Sequence, residues 1–209
     1  MTPSLPRPGA MGWRPPLHAV AAALMVAAGL VSTAQGLAIH AKALLAQVLL
    51  ERAFSASLAS GRPVKPWSWA DTWPVARISV PRLGASSIVL AGVSGQALAF
   101  GPGHVAHTPV AGDTGTAVYA AHRDTHFRFL GQIEVGDTIT VTVASGHTFQ
   151  FRVTHTRVAP WNLAGIDPDG PGRTIVLATC WPLDARTPGP LRYLVHARLV
   201  EPPEAPWGP

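Results

Sequence analysis

Thr138-Ile139-Thr140-Val141-Thr142-Val143, then Ser145-Gly146, then Phe149, Phe151 and Val153 at every second position, is the stretch that decides the fold class. Apolar residues recurring with a period of two place one face of each segment against a core, and a Ser-Gly pair between them supplies a tight reversal. The segment reads as a β-hairpin whose inner face is Ile139, Val141, Val143, Phe149, Phe151 and Val153. It carries no reactive side chain and is scaffold.

Working outward, the same grammar repeats on both sides. Short runs of β-forming residues cover Val75 to Val80, Ser87 to Leu90, Gly115 to Ala121, Asp137 to Ala144, Thr148 to Val158, Thr174 to Thr179 and Leu191 to Val200, with Gly, Pro and Asp between them. Seven or eight short strands in one domain-length stretch predict a mainly β fold, a small barrel or sandwich. The region between Val158 and Thr174 is a long loop rich in Pro, Gly and Asp that contains Trp161, Leu163 and Ile166, the form a groove wall takes.

Three strand ends carry chemistry. Cys180, the single cysteine among 209 residues, closes Thr174-Ile175-Val176-Leu177-Ala178-Thr179-Cys180; His122 ends an earlier run and Arg192 opens a later one. A thiol reacts as thiolate, an imidazole can take or return the proton, and a guanidinium can stabilise an oxyanion. A lone cysteine is more often a buried structural residue, so the weight rests on the sequence around it.

That sequence is Ala120-Ala121-His122-Arg123-Asp124-Thr125-His126-Phe127, then Leu177-Ala178-Thr179-Cys180, then Gly189-Pro190-Leu191-Arg192-Tyr193-Leu194-Val195. In order and separation it resembles the His, Thr-Cys and Arg motifs of the sortase family. Pro66-Trp67-Ser68-Trp69-Ala70-Asp71-Thr72-Trp73-Pro74 and Leu98-Ala99-Phe100-Gly101-Pro102-Gly103-His104 resemble the Gram-negative class of that family, and the likeness spans residues 40 to 200.

The resemblance implies a closed seven- or eight-stranded β-barrel with short helices. It implies that Cys180 attacks the Thr carbonyl of an LPXTG-like C-terminal sorting signal, that His122 protonates the departing amine, and that Arg192 stabilises the oxyanion. A thioacyl-enzyme would then pass the target protein to an amine or to water. Ala121, Thr179 and Trp161 are the expected substrate contacts; Ala121 stands where the family usually has Gly. His126 competes with His122, and Arg123, Arg186 and Arg198 compete with Arg192. If Asp124 or Thr125 caps a short helix after the strand, His126 falls on that helix and not at the strand end.

Ahead of the β region, Ala19 to Ile39 is apolar and uncharged, with Arg7 and Arg14 before it. The run is long enough to cross a bilayer. Ser32-Thr33-Ala34 offers a processing site for the competing reading, a cleaved signal peptide, but apolar residues continue through Leu37, Ala38 and Ile39. The resulting plan is a cytoplasmic N-terminus (1–18), a transmembrane signal-anchor (19–39), a helical stalk and linker (40–65) and a catalytic domain (66–205). Charges flanking the apolar run are balanced, so sidedness rests on the resemblance, which implies an inner-membrane anchor with the domain on the periplasmic face. The helical pattern of Ala41 to Ala59 suits a stalk or a packed helix. Trp67, Trp69 and Trp73 suit packing at the barrel base or the membrane interface, with packing favoured.

Other function classes fit less well. The formal net charge is +5, but only 13% of residues are charged and the arginines stand singly, so a nucleic-acid groove is discounted. Nine histidines invite a metal, yet His104 and His107 lie in a Gly/Pro-rich stretch without helical ligand spacing, and no metal or other cofactor is expected. Asp167-Pro168-Asp169-Gly170 lacks the remaining ligand positions of a calcium loop and reads as a turn. An L,D-transpeptidase expects a His-Gly-Cys-like motif that Ala178-Thr179-Cys180 lacks. A membrane-tethered, non-catalytic binding domain predicts that one of the three reactive residues is missing, and none is.

Overall fold

The computed structural model describes residues 16–200 except Leu163 and Arg186. Most of the expected N-terminal segment 1–18, the competitor Arg186 and residues 201–205 therefore lie outside the described residues. Eight strands close a barrel: β1 (Pro74–Val80), β2 (Ala85–Ala91), β3 (Gly103–His104), β4 (Gly115–Ala120), β5 (Thr138–Val143), β6 (Thr148–Pro160), β7 (Arg173–Trp181) and β8 (Leu191–Leu199). Their order around the barrel is β1-β2-β3-β4-β7-β8-β6-β5. The β4–β7 and β2–β3 pairs are parallel and the others antiparallel.

The hairpin forms as its alternation requires. Ile139 pairs with Phe151 and Val141 with Phe149, so both apolar rows face inward together. Gly146, at φ 91°, turns the chain while the Val143 N–H donates to the His147 carbonyl across it and the Gly146 N–H donates to the Val143 carbonyl. Closing a sheet into a barrel also removes its exposed edges. The interior is filled by Ile78, Val80, Val89, Tyr119, Phe127, Leu130, Ile139, Val141, Phe151, Ile175, Leu177 and Val195.

Two elements have no counterpart in the sequence pattern. β3 is only two residues long, and α2 (Gly95–Phe100) is a short helix capped by the Ser94 hydroxyl, which accepts from the Ala97 N–H. Gly103 has to be glycine, since a Cβ there would stand 2.1 Å from the Gly92 carbonyl oxygen. The helix anticipated with Asp124 or Thr125 as its cap begins later, as a 3-10 turn over Arg128–Gln132 with no side-chain cap. His126 therefore lies in the turn before it.

The long helix α1 runs over Leu17–Ser60. Its first part, through Leu44, is one unit, and Leu45 onward belongs to the barrel body. In the latter, Leu50 and Phe54 pack with Ile88, Leu90 and Ala97, and the Gln47 amide donates to the Phe100 carbonyl at 2.9 Å. Arg77 pairs with Glu51 and lies 5.4 Å over the Phe54 ring. Residues 45–60 thus clothe the outside of β2 and do not form a free stalk. Leu24, Met25, Val26, Leu30, Leu37 and Ile39 in the first unit are exposed. That part of the helix has the length and apolarity of a single-pass membrane anchor.

The tryptophans divide. Trp67 packs edge-on against Phe100 at 5.1 Å between centroids, whereas Trp69 is 83% exposed. Arg82, in the 3-10 turn Pro81–Leu83, grips buried Asp137 through two bonds of 2.5 and 2.7 Å and so ties the β1–β2 connection to the start of β5. The Arg82 guanidinium holds the Asp137 carboxyl below its ordinary pKa.

Candidate active site

Alternation along β7 sorts its residues. Ile175, Leu177 and Thr179 face the barrel interior, while Val176, Ala178 and Cys180 face outward. The same holds on β8, where Tyr193, Val195 and Ala197 point in and Arg192, Leu194 and His196 point out. Cys180 and Arg192 are direct register partners. Opposed residues of an antiparallel pair have Cβ atoms about 5 Å apart, so thiol and guanidinium share one patch of the outer face.

β4 brings the histidine to that patch. It runs parallel to β7 with Ala120 opposite Ala178, and the Ala121 N–H donates to the Ala178 carbonyl at 3.2 Å. The next step of the chain, His122, arrives level with Cys180 and is exposed. Three residues separated by long stretches of chain thus meet where β4, β7 and β8 end together. Cys180 is a free, half-buried thiol.

The backbone around the histidine is closely held. The Thr179 hydroxyl donates to the Ala121 carbonyl at 2.7 Å, and the Phe127 N–H donates to the His122 carbonyl at 3.1 Å, with Phe127 fully buried. His126 is half-buried beside the Ala99 backbone carbonyl. Burial pulls its pKa below the ordinary value, the Ala99 carbonyl works the other way, and the neighbouring His122 adds to the fall. Of the two histidines, His122 is the one presented to solvent.

The expected substrate contacts separate. Trp161 stands at the end of β6, 64% exposed, with its N–H donating to the Pro190 carbonyl at 2.8 Å. Thr179 is 2% and Ala121 6% exposed, and both side chains belong to the inside of the barrel. Inside the barrel, neither side chain lies on the outer patch that carries Cys180. The inward row Ile175, Leu177, Thr179 was the sequence signal for this, since period two puts Thr179 opposite in direction to Cys180.

Beyond Trp161, the loop to β7 lies on the outer face, with Ala164 and Ile166 packed against Val118, Val176 and Leu194. Its Asp167 carboxylate accepts from the Asp169 N–H at 3.0 Å, an Asx turn. Gly115 seats it, for a Cβ there would meet the Pro168 carbonyl at 2.2 Å. A cavity of about 490 Å³ lined by Trp73, His104, Tyr119 and Phe149 contains none of Cys180, His122 and Arg192, so it is not where these groups act.

Arg192 directs one guanidinium nitrogen to the carbonyls of Gly189 and Leu191, both at 2.9 Å. Among the described residues it has no carboxylate partner. A cation anchored on one side by backbone carbonyls and free of an acid retains its charge for an anion. Arg123, named from the sequence only as a competitor of Arg192, takes a different place. It donates to the Pro182 carbonyl at 2.9 Å and the Thr187 carbonyl at 2.7 Å, both in the loop that joins Cys180 to Arg192.

Known proteins share this architecture. The family model "Sortase domain" matches residues 78–200. Sortase D of Bacillus subtilis (strain 168) is 25% identical over 124 residues, which make up 59% of this chain and 62% of that protein, so the match spans less than two thirds of the relative's length. Sortase C-1 of Actinomyces oris superposes with a TM-score of 0.55 at 27% identity, covering 61% of this chain and 73% of that one. Sortase A of Corynebacterium diphtheriae shares the fold at a TM-score of 0.57 and 24% identity, covering 77% of this chain and 87% of the other. With its eight-stranded barrel and a matching domain across most of that barrel, the chain belongs to the sortase family.

Proposed function

We propose that this protein is a membrane-anchored cysteine transpeptidase that cleaves an LPXTG-like sorting signal. The observation that carries the reading is the register pairing of Cys180 with Arg192 beside the β4 end that delivers His122. In this reading the Cys180 thiolate attacks the carbonyl carbon of the signal's Thr, and the carbonyl electrons move onto oxygen beside the Arg192 guanidinium. Collapse of that intermediate expels the amine of the next residue, which takes a proton from His122. The thioacyl-enzyme is then attacked by an amine or by water, His122 accepts the incoming proton, and Cys180 leaves as thiolate.

The apolar helix supports a single-pass anchor at residues 19–39; the resemblance to sortases supports 66–205 as the catalytic domain on the extracytoplasmic side with the N-terminus in the cytoplasm. The tryptophan stretch at 66–74 and the Gly-rich stretch at 98–104 support placement in the Gram-negative class, at the inner membrane facing the periplasm. Trp161, exposed at the rim, supports a role as one wall of the peptide groove. The partner is a protein with a C-terminal sorting signal.

Mass spectrometry of the full chain in detergent, incubated with LPXTG-like peptides with and without amines, tests the reading. A peptide-acyl adduct on Cys180 that disappears in Cys180→Ala, with cleaved or amine-exchanged product, is expected. No adduct across the peptide panel points instead to a tethered binding domain.

A further inference from the structure

The loop between β7 and β8, of which residues 182–185 and 187–190 are described, is gripped from several sides by groups around the site. Arg192 donates to the Gly189 carbonyl, the Trp161 N–H donates to the Pro190 carbonyl, and Arg123 reaches across to the carbonyls of Pro182 and Thr187. Arg123 is the residue directly after His122. Its two acceptors lie two residues after Cys180 and five residues before Arg192, at 2.9 and 2.7 Å. One planar guanidinium therefore bridges two separate points of the loop. Among the described residues it has no carboxylate partner that would account for it as an ion pair.

The backbone of His122 is held on its inner side by the Ala121–Ala178 and Thr179–Ala121 bonds and ahead by Phe127. None of these joins it to the loop between the other two reactive residues. Among the hydrogen bonds of the described residues the Arg123 fork does so, and charge-assisted bonds from a rigid fork carry geometry as well as attraction. A lysine ammonium is a compact charge and does not reproduce a planar pair of bonds to two separate carbonyls.

We propose that Arg123 is a positioning residue, a clasp that keeps His122 in register with the segment carrying Cys180 and Arg192. The proposal rests on the transpeptidase reading, in which His122 delivers a proton to an amine leaving Cys180. Misplacing such a group by about 1 Å costs on the order of 100-fold in rate. Substrate binding does not use the clasp, so the loss falls on kcat.

Full-length wild type, Arg123→Lys and Arg123→Ala in detergent are compared by peptide turnover, by melting temperature and by hydrogen exchange. Expected for Arg123→Lys is a kcat lower by about 10- to 100-fold with KM within about threefold and an unchanged melting temperature. Faster amide exchange in both 183–189 and 122–127 is expected alongside it. A kcat equal to wild type, or a rise in KM alone, overturns the clasp. Should wild type turn over none of the peptides, the transpeptidase reading fails by itself, and exchange decides the clasp: faster exchange in both segments upholds it and unchanged exchange overturns it. If Arg123→Ala does not fold, Arg123→Lys gives the same two readouts.

Discussion

Thr179 sits beside Cys180 but faces the opposite way, and its hydroxyl holds the carbonyl of the residue before His122. Replacing it with Val keeps the shape and removes the donor, leaving a buried carbonyl short of a partner, at a cost of about 1–2 kcal/mol. Thr179→Val is expected to lower the melting temperature by about 2–6 °C and to reduce kcat while leaving KM for peptide unchanged, measured by thermal unfolding and steady-state kinetics. A raised KM with an unchanged melting temperature would assign the hydroxyl to the substrate instead. The residues of the site differ in how visible they were in sequence. Cys180, His122 and Arg192 stand in local motifs; Arg123 stands beside His122 but is legible there only as a rival of Arg192, because its acceptors are backbone carbonyls of Pro182 and Thr187, far along the chain, and backbone acceptors leave no mark on side-chain pattern.

At the scale of elements, the β6–β8 pair carries its own titration. His196 stacks on His155 at 4.3 Å between ring centroids, with Arg157 nearby on the same strand as His155. Burial first, then His155 and Arg157, push the His196 pKa down to about 4. The unfolded chain takes up this proton near the ordinary value of about 6.5, so between those two values the unfolded state binds more protons than the native one. Stability therefore falls as pH drops from about 6.5 to about 4. Allowing for the half-exposed ring, the loss is about 1–2 kcal/mol. Melting temperature followed over that range is expected to decline in wild type and to decline less in His196→Gln. Strand patterning located seven of the strands within a few residues, because alternation is a property of each segment alone. β3 escaped it, since two residues have no period, and only its neighbours β2 and β4 define it.

For the whole molecule, the boundary of the stable body lies inside α1. Leu50 and Phe54, both buried, cover the outer surface of β2, so a chain beginning at residue 45 retains that packing and one beginning at 61 does not. Phe54→Ala is expected to cost about 3–5 kcal/mol through lost burial and the cavity left behind. Chains starting at 45 and at 61, compared by thermal unfolding, are expected to melt near wild type and well below it, respectively. Composition placed the apolar and the amphipathic parts of this helix in sequence, but it left stalk and packed helix open. That choice depends on what the other side of the contact, Ile88, Leu90 and Ala97, offers in three dimensions.

β4 and β7 are parallel neighbours, and parallel neighbours have no hairpin to bring them together. Everything from β5 through β6 lies between them in the chain, and closing so long a loop costs entropy that is recovered only when the pairing is made. The histidine and the thiol are therefore strangers for most of the folding reaction. A newly made chain can hold its hairpin and much of its secondary structure while Cys180 and His122 are still far apart, and their juxtaposition is a late property of the finished barrel.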